Sequence, residues 1–224
     1  MRGKAGMFCQ GGRDFDFSSV SLLLHMDGSN GSTTFTDSSS NVFTVTPTGS
    51  VSISTAESKF GSTSGLFNGG YLSISSSAAF GPGTGDFTVE CWVYPTITTV
   101  VGGLINLGTY DDGLLFRMGS AVDSLYFNSD YTDWDAFTNA PINTWTHLAL
   151  VRSGSSVAIY ADGVSVHTRT SSANLNAANA VVIGTGAHAF GETYVGYIDD
   201  LRITNGVARY TANFTPPAAA FENF

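Results

Sequence analysis

Residues 143–164 read NTWTHLALVRSGSSVAIYADGV, and this stretch decides the fold class. Two apolar segments, Trp145 to Arg152 and Val157 to Ala161, are separated by a short loop of serine and glycine. Asp162-Gly163 follows, and this dipeptide favours a tight type I′ turn that closes a hairpin onto Val164 to Thr168. The stretch therefore predicts short strands joined by tight turns.

The same pattern of short strands and turns continues on both sides of this stretch. Phe87 to Tyr94 alternates cleanly between apolar and mixed positions, as a strand with one buried face does. No segment has sustained helical periodicity. Further strands are predicted at Val20 to Met26, Val42 to Val45, Val51 to Ser54, Leu66 to Phe67, Tyr71 to Ile74, Leu104 to Leu107, Leu114 to Met118, Leu125 to Phe127, Val181 to Ile183 and Tyr194 to Ile203.

So many strands without helices predict an all-β protein, a two-sheet antiparallel sandwich or jelly roll. In a sandwich, alternate residues of both sheets fill the space between them. The residues predicted to form this core are Leu22, Leu24, Val89, Val93, Leu148, Leu150, Ile159, Ile183, Leu201 and Ile203.

Composition and charge exclude several classes of partner. The 224 residues are 42% hydrophobic, enough for a sizeable core, and carry a formal net charge of -9 with two lysines, Lys4 and Lys59. A surface of this sign repels phosphate backbones and anionic membranes, so nucleic-acid binding is not expected. No uninterrupted apolar run reaches the roughly 18 residues that a transmembrane helix needs, so membrane insertion is not expected either.

The chain is predicted to consist of an extended N-terminal arm (1–17), one sandwich domain (18–217) and a C-terminal tail (218–224). The glycine-rich arm is either a disordered terminus or an anchoring segment that orders against a neighbouring subunit. Its beginning has no apolar region of the kind a secretory signal requires. Cys9 in the arm and Cys91 in an apolar strand are predicted to be free thiols.

Four motifs, in the right order, resemble the laminin-G-like domains of the concanavalin A-like lectin/glucanase superfamily. Together they cover roughly Ser21 to Phe214. The motifs are the hairpin of 143–164 quoted above, FTVECWVYP at 87–95, FNGGYLSI at 67–74 and GYIDDLRI at 196–203. The resemblance implies a concanavalin A-like jelly roll.

The closing stretch 198–217, IDDLRITNGVARYTANFTPP, is similar to the end of laminin-G-like modules in bacteriophage virion proteins. This resemblance implies a non-enzymatic structural or capsid-decoration protein, released by lysis, that contacts other virion subunits through its arm and forms a homo-oligomer. An alternative is a calcium-dependent adhesion module of a phage tail or fibre that binds a host-surface glycan. A third alternative is a glycan depolymerase.

A structural calcium ion is a further implication of the resemblance. Calcium takes about six to eight oxygen ligands from carboxylates, backbone carbonyls and waters. The implied ligands are Asp27, a carbonyl of Gly69 or Gly70, and Asp199 or Asp200. Alternatively, Asp199 and Asp200 cap a strand or pair with Arg202 and Arg152.

A glycan-binding surface is predicted where aromatic rings alternate with short polar side chains. Sugars are recognised by stacking on aromatic faces and by hydrogen bonds to Asp and Asn. The candidate residues are Tyr110, Asp112, Tyr131, Trp134 and Asp135. Alternatively, Tyr131, Trp134 and Phe137 alternate along an edge strand that packs on the domain or on a partner subunit.

The sequence does not favour catalysis. Glycoside hydrolysis needs two carboxyl groups about 5 to 9.5 Å apart, and none of the four glutamates lies in the Glu-x-Asp-x-Glu type of strand that hydrolases of this fold carry. There is no Gly-x-Ser-x-Gly elbow, and the four histidines lack a zinc-binding spacing. His147 is expected to be a packed strand residue.

Overall fold

A computed structural model describes residues 13–97, 102–108, 114–118, 123–127, 134–137, 140–175, 180–185 and 193–224. Two single turns of 3-10 helix, Phe17–Ser19 and Ala78–Phe80, accompany the strands. None of the helical segments in this part of the chain is long and apolar enough to cross a bilayer.

The strands form where the sequence alternates or is continuously apolar. In chain order they are β1 (Val20–Leu24), β2 (Val45–Thr48), β3 (Val51–Ser54), β4 (Ser64–Asn68), β5 (Tyr71–Ile74), β6 (Phe87–Pro95), β7 (Gly102–Leu107), β8 (Leu114–Met118), β9 (Asp123–Phe127), β10 (Trp134–Phe137), β11 (Thr146–Ser153), β12 (Ser156–Ala161), β13 (Val164–Thr170), β14 (Val181–Ile183) and β15 (Val195–Asn205).

These strands build two antiparallel sheets packed as a sandwich. The first sheet has the order β13-β12-β11-β6-β15-β4-β3, with β1 also paired to β15. The second sheet has the order β10-β9-β8-β7-β14-β5-β2. The predicted all-β, two-sheet antiparallel architecture is therefore confirmed.

The core lies between the two sheets and contains all ten residues predicted for it. Cys91 belongs to this core as a free thiol, and its burial raises the pKa of that thiol above the ordinary range. Cys9 lies outside the described residues.

The hairpin turn between β12 and β13 has the predicted conformation. Asp162 and Gly163 have φ angles of 47° and 76°, the pair of positive values that a type I′ turn requires. A Cβ atom on Gly163 would overlap the carbonyl oxygen of Phe214, so the position needs glycine for space as well as for conformation.

The terminal segments pack against the outer face of the first sheet. The Phe214 N–H donates to the Gly163 carbonyl at 2.9 Å. The Phe221 N–H donates to Oδ2 of Asp200 at 2.6 Å, and the Asp14 N–H donates to the Phe224 carbonyl at 2.9 Å. The predicted tail and the last part of the predicted arm thus contact the sandwich, whereas arm residues 1–12 lie outside the described residues.

Candidate functional site

Three aromatic residues line up across neighbouring strands on the outer face of the first sheet. Tyr197 of β15 pairs with Tyr94 of β6. Thr146 of β11 pairs with Val93, which brings Trp145, just before β11, level with Tyr94. We call Trp145, Tyr94 and Tyr197 the aromatic row. Their alignment follows from register, because residues level on adjacent antiparallel strands point to the same side of a sheet.

The aromatic row is continuous, half-exposed and not flat. The ring centroids of Tyr94 and Trp145 are 5.5 Å apart with planes inclined at 54°, and those of Tyr94 and Tyr197 are 5.8 Å apart with planes inclined at 78°. All three side chains are half-buried. The row crosses two inter-strand spacings, about 10 Å in all.

On the same face of the sheet, the residues that come next to the aromatic row along the strands are covered by other parts of the chain. Trp92 and His147 follow the row on β6 and β11, and both are buried. The Nζ of Lys59 lies 3.6 Å from the ring centroid of Trp92, and Phe60 packs edge-on against the same indole. Oδ2 of Asp199 accepts the backbone N–H groups of Lys59 at 2.8 Å and Phe60 at 3.1 Å, which fixes this loop over Trp92.

Further along the face, Glu90 is the centre of a buried ionic cluster. Arg202 donates to Oε1 of Glu90 at 2.9 Å from Nε and 2.7 Å from Nη2. The Tyr210 hydroxyl donates to Oε2 of Glu90 at 2.8 Å. Asp14 accepts from Arg202 at 3.0 Å and from Arg209 at 2.7 Å. Burial alone would raise the pKa of Glu90, but the nearby positive charge of Arg202 holds it well below its usual range.

The C-terminal segment covers the rest of this face. Tyr210 and Phe214 stack with ring centroids 3.6 Å apart, and Phe214 also contacts Tyr160 of β12 and His147 of β11. The outward side chains of β6, β11 and β15 are buried beneath this segment and along the strands as far as the level of Trp92. At the aromatic row the outward side chains are only half-buried. The row is therefore the part of these strands where aromatic rings can meet a ligand.

Glu57 adds a carboxylate to the row. Desolvation, the negative charge of Glu57 and the hydrogen bond to its carboxylate raise the pKa of the Tyr94 hydroxyl above its ordinary value. The Glu57 carboxylate therefore lies in the electrostatic neighbourhood of the Tyr94 hydroxyl. The Ser64 hydroxyl donates to the Glu57 carbonyl at 2.7 Å, which holds Glu57 beside the sheet.

The structure does not bring the five implied calcium ligands together. Gly69 and Gly70 follow Asn68, which pairs with Val195. Asp199 lies four strand positions from Val195, about 13 Å along β15. The two glycines are thus at the far end of this strand pair from Asp199 and Asp200.

The three acidic candidates do lie near one another, but they are mostly committed to protein groups. Asp200 accepts from the Phe221 N–H and lies 2.7 Å from Nδ1 of His25. Oδ1 of Asp27 accepts from Thr63 at 3.4 Å. Burial, opposed by two backbone hydrogen bonds and reinforced by the charges of Asp200 and Asp27, raises the pKa of Asp199 to about 7.

No three His, Cys, Asp or Glu side chains in the described part of the chain are arranged to hold one metal ion. The five residues therefore do not fit a single calcium site. Calcium binding by this protein stays a prediction.

The alternative pairing of Asp199 and Asp200 with Arg202 and Arg152 was wrong. Arg202 pairs with Glu90 and Asp14 rather than with Asp199 or Asp200, because a bulge in β15 between Asp199 and Arg202 changes the register there. Arg152 is fully buried and donates to three backbone carbonyls, those of Gly83, Gly85 and Ala173.

Of the five residues predicted to bind a glycan, two lie on the second sheet and three lie outside the described residues. Tyr110, Asp112 and Tyr131 are outside the described residues. Trp134 and Asp135 lie on β10, where they pair with Tyr126 and Leu125 of β9. Because β10 ends the order of the second sheet among the described residues, Trp134 lies on an edge strand as that alternative required, and the packing of this strand stays a prediction.

His147 is a packed strand residue, as predicted. It is fully buried, and its Nε2 lies 3.3 Å from Oε2 of Glu90.

Sequence reasoning missed the aromatic row, although all three residues stand in or beside the recognised motifs. The available signal was the two-residue period of a strand, which places Tyr94 on the same face as Trp92 and Tyr197 on the same face as Asp199. The structure shows that Trp92 and Asp199 are buried on that face. The sequence did not show that β11, β6 and β15, which are far apart along the chain, are neighbours in one sheet.

The sequence matches the family model described as the concanavalin A-like lectin/glucanases superfamily over residues 66–209. This match covers more than half of the chain. No curated protein matches the sequence.

Solved structures share the fold at low sequence identity. Domain 4 of AbnA, a GH43 extracellular arabinanase from Geobacillus stearothermophilus solved with arabinotriose, has a TM-score of 0.63 at 20% identity, over 85% of this chain and 94% of that chain. The binding domain of botulinum neurotoxin serotype G gives 0.61 at 14%, over 85% and 49%. The binding domain of Paraclostridial Mosquitocidal Protein 1 gives 0.64 at 12%, over 86% and 50%. This chain thus spans about half of each toxin domain.

Proposed function

This chain belongs to the concanavalin A-like lectin/glucanases superfamily, and we propose that it is a non-catalytic module that binds a glycan chain on its aromatic row. The observation that carries the proposal is the alignment of Trp145, Tyr94 and Tyr197, three half-exposed rings with neighbouring centroids less than 6 Å apart.

The chemistry of the row suits a sugar. Aromatic rings combine a large apolar face with low conformational entropy, and in tyrosine with a polar hydroxyl as well. Glu57 beside Tyr94 supplies carboxylate oxygens that accept hydrogen bonds from sugar hydroxyls. The length of the row, about 10 Å, fits a short oligosaccharide better than a single sugar ring.

The inclination of the rings restricts the form of the glycan. Because the planes of the three rings are inclined to one another by 54° and 78°, they do not share one flat surface. A single soluble chain can turn each sugar toward its own ring, whereas a flat crystalline polysaccharide cannot.

The absence of catalysis is part of the proposal. A glycosidase needs a pair of carboxyl groups across the scissile bond. Glu90 is enclosed by Arg202, Tyr210 and His147, and Asp200 is held by His25 and Phe221, so these carboxylates serve the packing of the domain. Named binding domains among the similar folds support the same view.

We place this module on a bacteriophage virion, as a structural, decoration or tail-fibre component that adheres to the host surface. The support for this setting is the resemblance of residues 198–217 to the closing segment of virion modules. Immunogold labelling of purified virions with an antibody against the chain tests the setting, and unlabelled particles would refute it.

The binding proposal is tested on a glycan array with the purified chain. We expect saturable binding that Trp145→Ala and Tyr94→Ala each weaken at least about tenfold, the scale of an aromatic hot spot. Binding should survive a chelator, because the row contains no metal ligand. Tyr71→Ala is the matched control, since Tyr71 is a half-buried tyrosine on a strand of the second sheet.

Two outcomes would overturn the proposal. A folded protein that binds no glycan on the array would exclude the function. Binding that is lost in Trp134→Ala but kept in Trp145→Ala would move the site to the edge strand of the second sheet.

A further inference from the structure

We infer that the glycan-binding surface continues from the aromatic row across β4 and β3, and that it takes a run of about five consecutive sugars, one for each strand crossed. Leu66 and Asn68 of β4 are the further binding residues. This inference rests on the proposed glycan function of the row and deepens it, because it names the length of the ligand and two more residues that hold it.

The level of the aromatic row continues onto the last two strands of the first sheet. Tyr197, the last ring of the row, pairs with Leu66 of β4. Leu66 in turn pairs with Ser52 of β3. Because residues level on adjacent antiparallel strands share a face, Leu66 and Ser52 lie in line with the three rings.

The burial of the neighbouring residues fixes the direction of these two side chains. Phe67 of β4, and Val51 and Ile53 of β3, belong to the core between the sheets. Successive side chains of a strand alternate in direction, so Leu66 and Ser52 point outward. Both residues are half-buried, as the rings of the row are, so a ligand that lies across the row can also reach them.

The two long borders of this line of side chains differ. On one side, the loop with Lys59 and Phe60 lies over Trp92. On the other side, the exposed Asn68 pairs with the half-buried Val195. The Asn68 carboxamide has two donors and an acceptor oxygen, which suit the hydroxyls of a sugar. One border therefore positions a chain by shape, and the other border by hydrogen bonds.

The spacing of the line matches a chain of sugars. Trp145, Tyr94, Tyr197, Leu66 and Ser52 come from five neighbouring strands, so the line crosses four inter-strand spacings, about 19 Å in all. One spacing is about 4.8 Å, and a sugar unit with its glycosidic oxygen is of similar length. Affinity should therefore increase with chain length beyond the three sugars that the rings alone can hold.

The test measures binding of the purified chain to arrayed ladders of arabinan, xylan, mannan and β-glucan oligosaccharides, each from two to seven sugars long. In the ladder that binds, we expect the pentasaccharide to bind at least about fivefold more strongly than the trisaccharide, the contribution of covering a half-buried leucine. The heptasaccharide should bind within about twofold of the hexasaccharide, because the line of side chains ends at β3 in the described part of the sheet.

Variants of β4 assign the gain to the proposed residues. Leu66→Ser and Asn68→Ala should each weaken pentasaccharide binding and leave trisaccharide binding unchanged. Leu66→Tyr, which places a fourth ring beside Tyr197, should strengthen pentasaccharide binding, and misfolding cannot produce such a gain. Val182→Ser is the matched control, since Val182 is a half-buried residue on β14 of the second sheet.

The outcomes separate this inference from the proposed function. Equal binding of the trisaccharide and the pentasaccharide, with both lost in Trp145→Ala, would overturn the extension and keep the function. Pentasaccharide binding that neither Leu66→Ser nor Leu66→Tyr changes would do the same, as would binding confined to the terminal sugars of branched glycans on the array. A folded chain that binds none of the arrayed glycans would overturn the function and the extension together.

Discussion

Glu90 and Arg202 face each other on adjacent strands of the first sheet, with Arg202 Nη2 2.7 Å from Glu90 Oε1. Both terminal segments meet at this buried pair. The N-terminal side contributes Asp14, which bonds to Arg202, and the C-terminal side contributes Tyr210, which bonds to Glu90. The pair therefore holds both terminal segments against the outer face of the first sheet, and its contribution can be measured.

Glu90→Gln is expected to destabilise the domain by up to about 3–5 kcal/mol, the cost of removing one partner of a buried ion pair, because Arg202 then keeps Asp14 as its one carboxylate partner among the described residues. The arginine at position 202 is buried, so water cannot replace the lost carboxylate charge. Urea unfolding of the two proteins measures the difference. Glu222→Gln, outside the cluster, is the control, and a loss below about 1 kcal/mol for Glu90→Gln would show that the pair is not a major contributor.

Acid should loosen the terminal segments. Burial would raise the pKa of Asp14, but the hydrogen bond and charge of Arg209 lower it below its ordinary value. A carboxylate with a lowered folded-state pKa stabilises the fold above its unfolded pKa of about 4, and this stabilisation is lost as the pH falls through the folded value.

Stability measured by urea unfolding should therefore decrease from pH 5 to pH 2. Asp14→Asn should lower the free energy of unfolding at pH 7. It should also make the free energy of unfolding decrease less between pH 5 and pH 2. An Asp14→Asn variant with the same pH profile as the wild type would contradict the assignment.

Phe221 should be a main support of the C-terminal tail. Its side chain is buried against Val20 and Leu23, and the guanidinium of Arg202 lies 3.7 Å from the centre of its ring. Phe221→Ala should cost about 3–5 kcal/mol in the free energy of unfolding. Phe224→Ala is the matched control, because Phe224 is 65% exposed and its truncation should cost within about 0.5 kcal/mol. Equal effects would show that the tail contributes little.

Gly163→Ala should be more destabilising than Gly154→Ala. Both glycines have positive φ angles, 76° and 61°, so each substitution incurs the cost of a left-handed conformation, about 1–2 kcal/mol. A Cβ at Gly154 meets nothing within 4 Å, whereas at Gly163 it would overlap the Phe214 carbonyl. Thermal or urea unfolding measures the loss in free energy of unfolding for each variant, and the difference between the two losses reports the contact with the C-terminal segment. Equal losses would contradict that contact.

The fold could be predicted because its signals are local. Alternation in Phe87–Pro95 and the turn chemistry of Asp162-Gly163 depend on neighbouring residues, and the two-residue period of a strand fixes which side chains face the core. For this reason the predicted core residues are all buried.

The candidate site could not be predicted in the same way. Trp145, Tyr94 and Tyr197 are far apart in sequence and form a row through the pairing of β11, β6 and β15. Likewise, Gly69 and Asp199 looked like co-ligands from their motifs, but strand register places them at opposite ends of a strand pair.

The sequence by itself determined most of the strands, their buried faces and the family, since each of these depends on spacing along the chain. The tertiary structure alone decided which outward residues meet and which are covered. Register between distant strands and the path of the terminal segments depend on non-local contacts, and no local periodicity encodes those contacts.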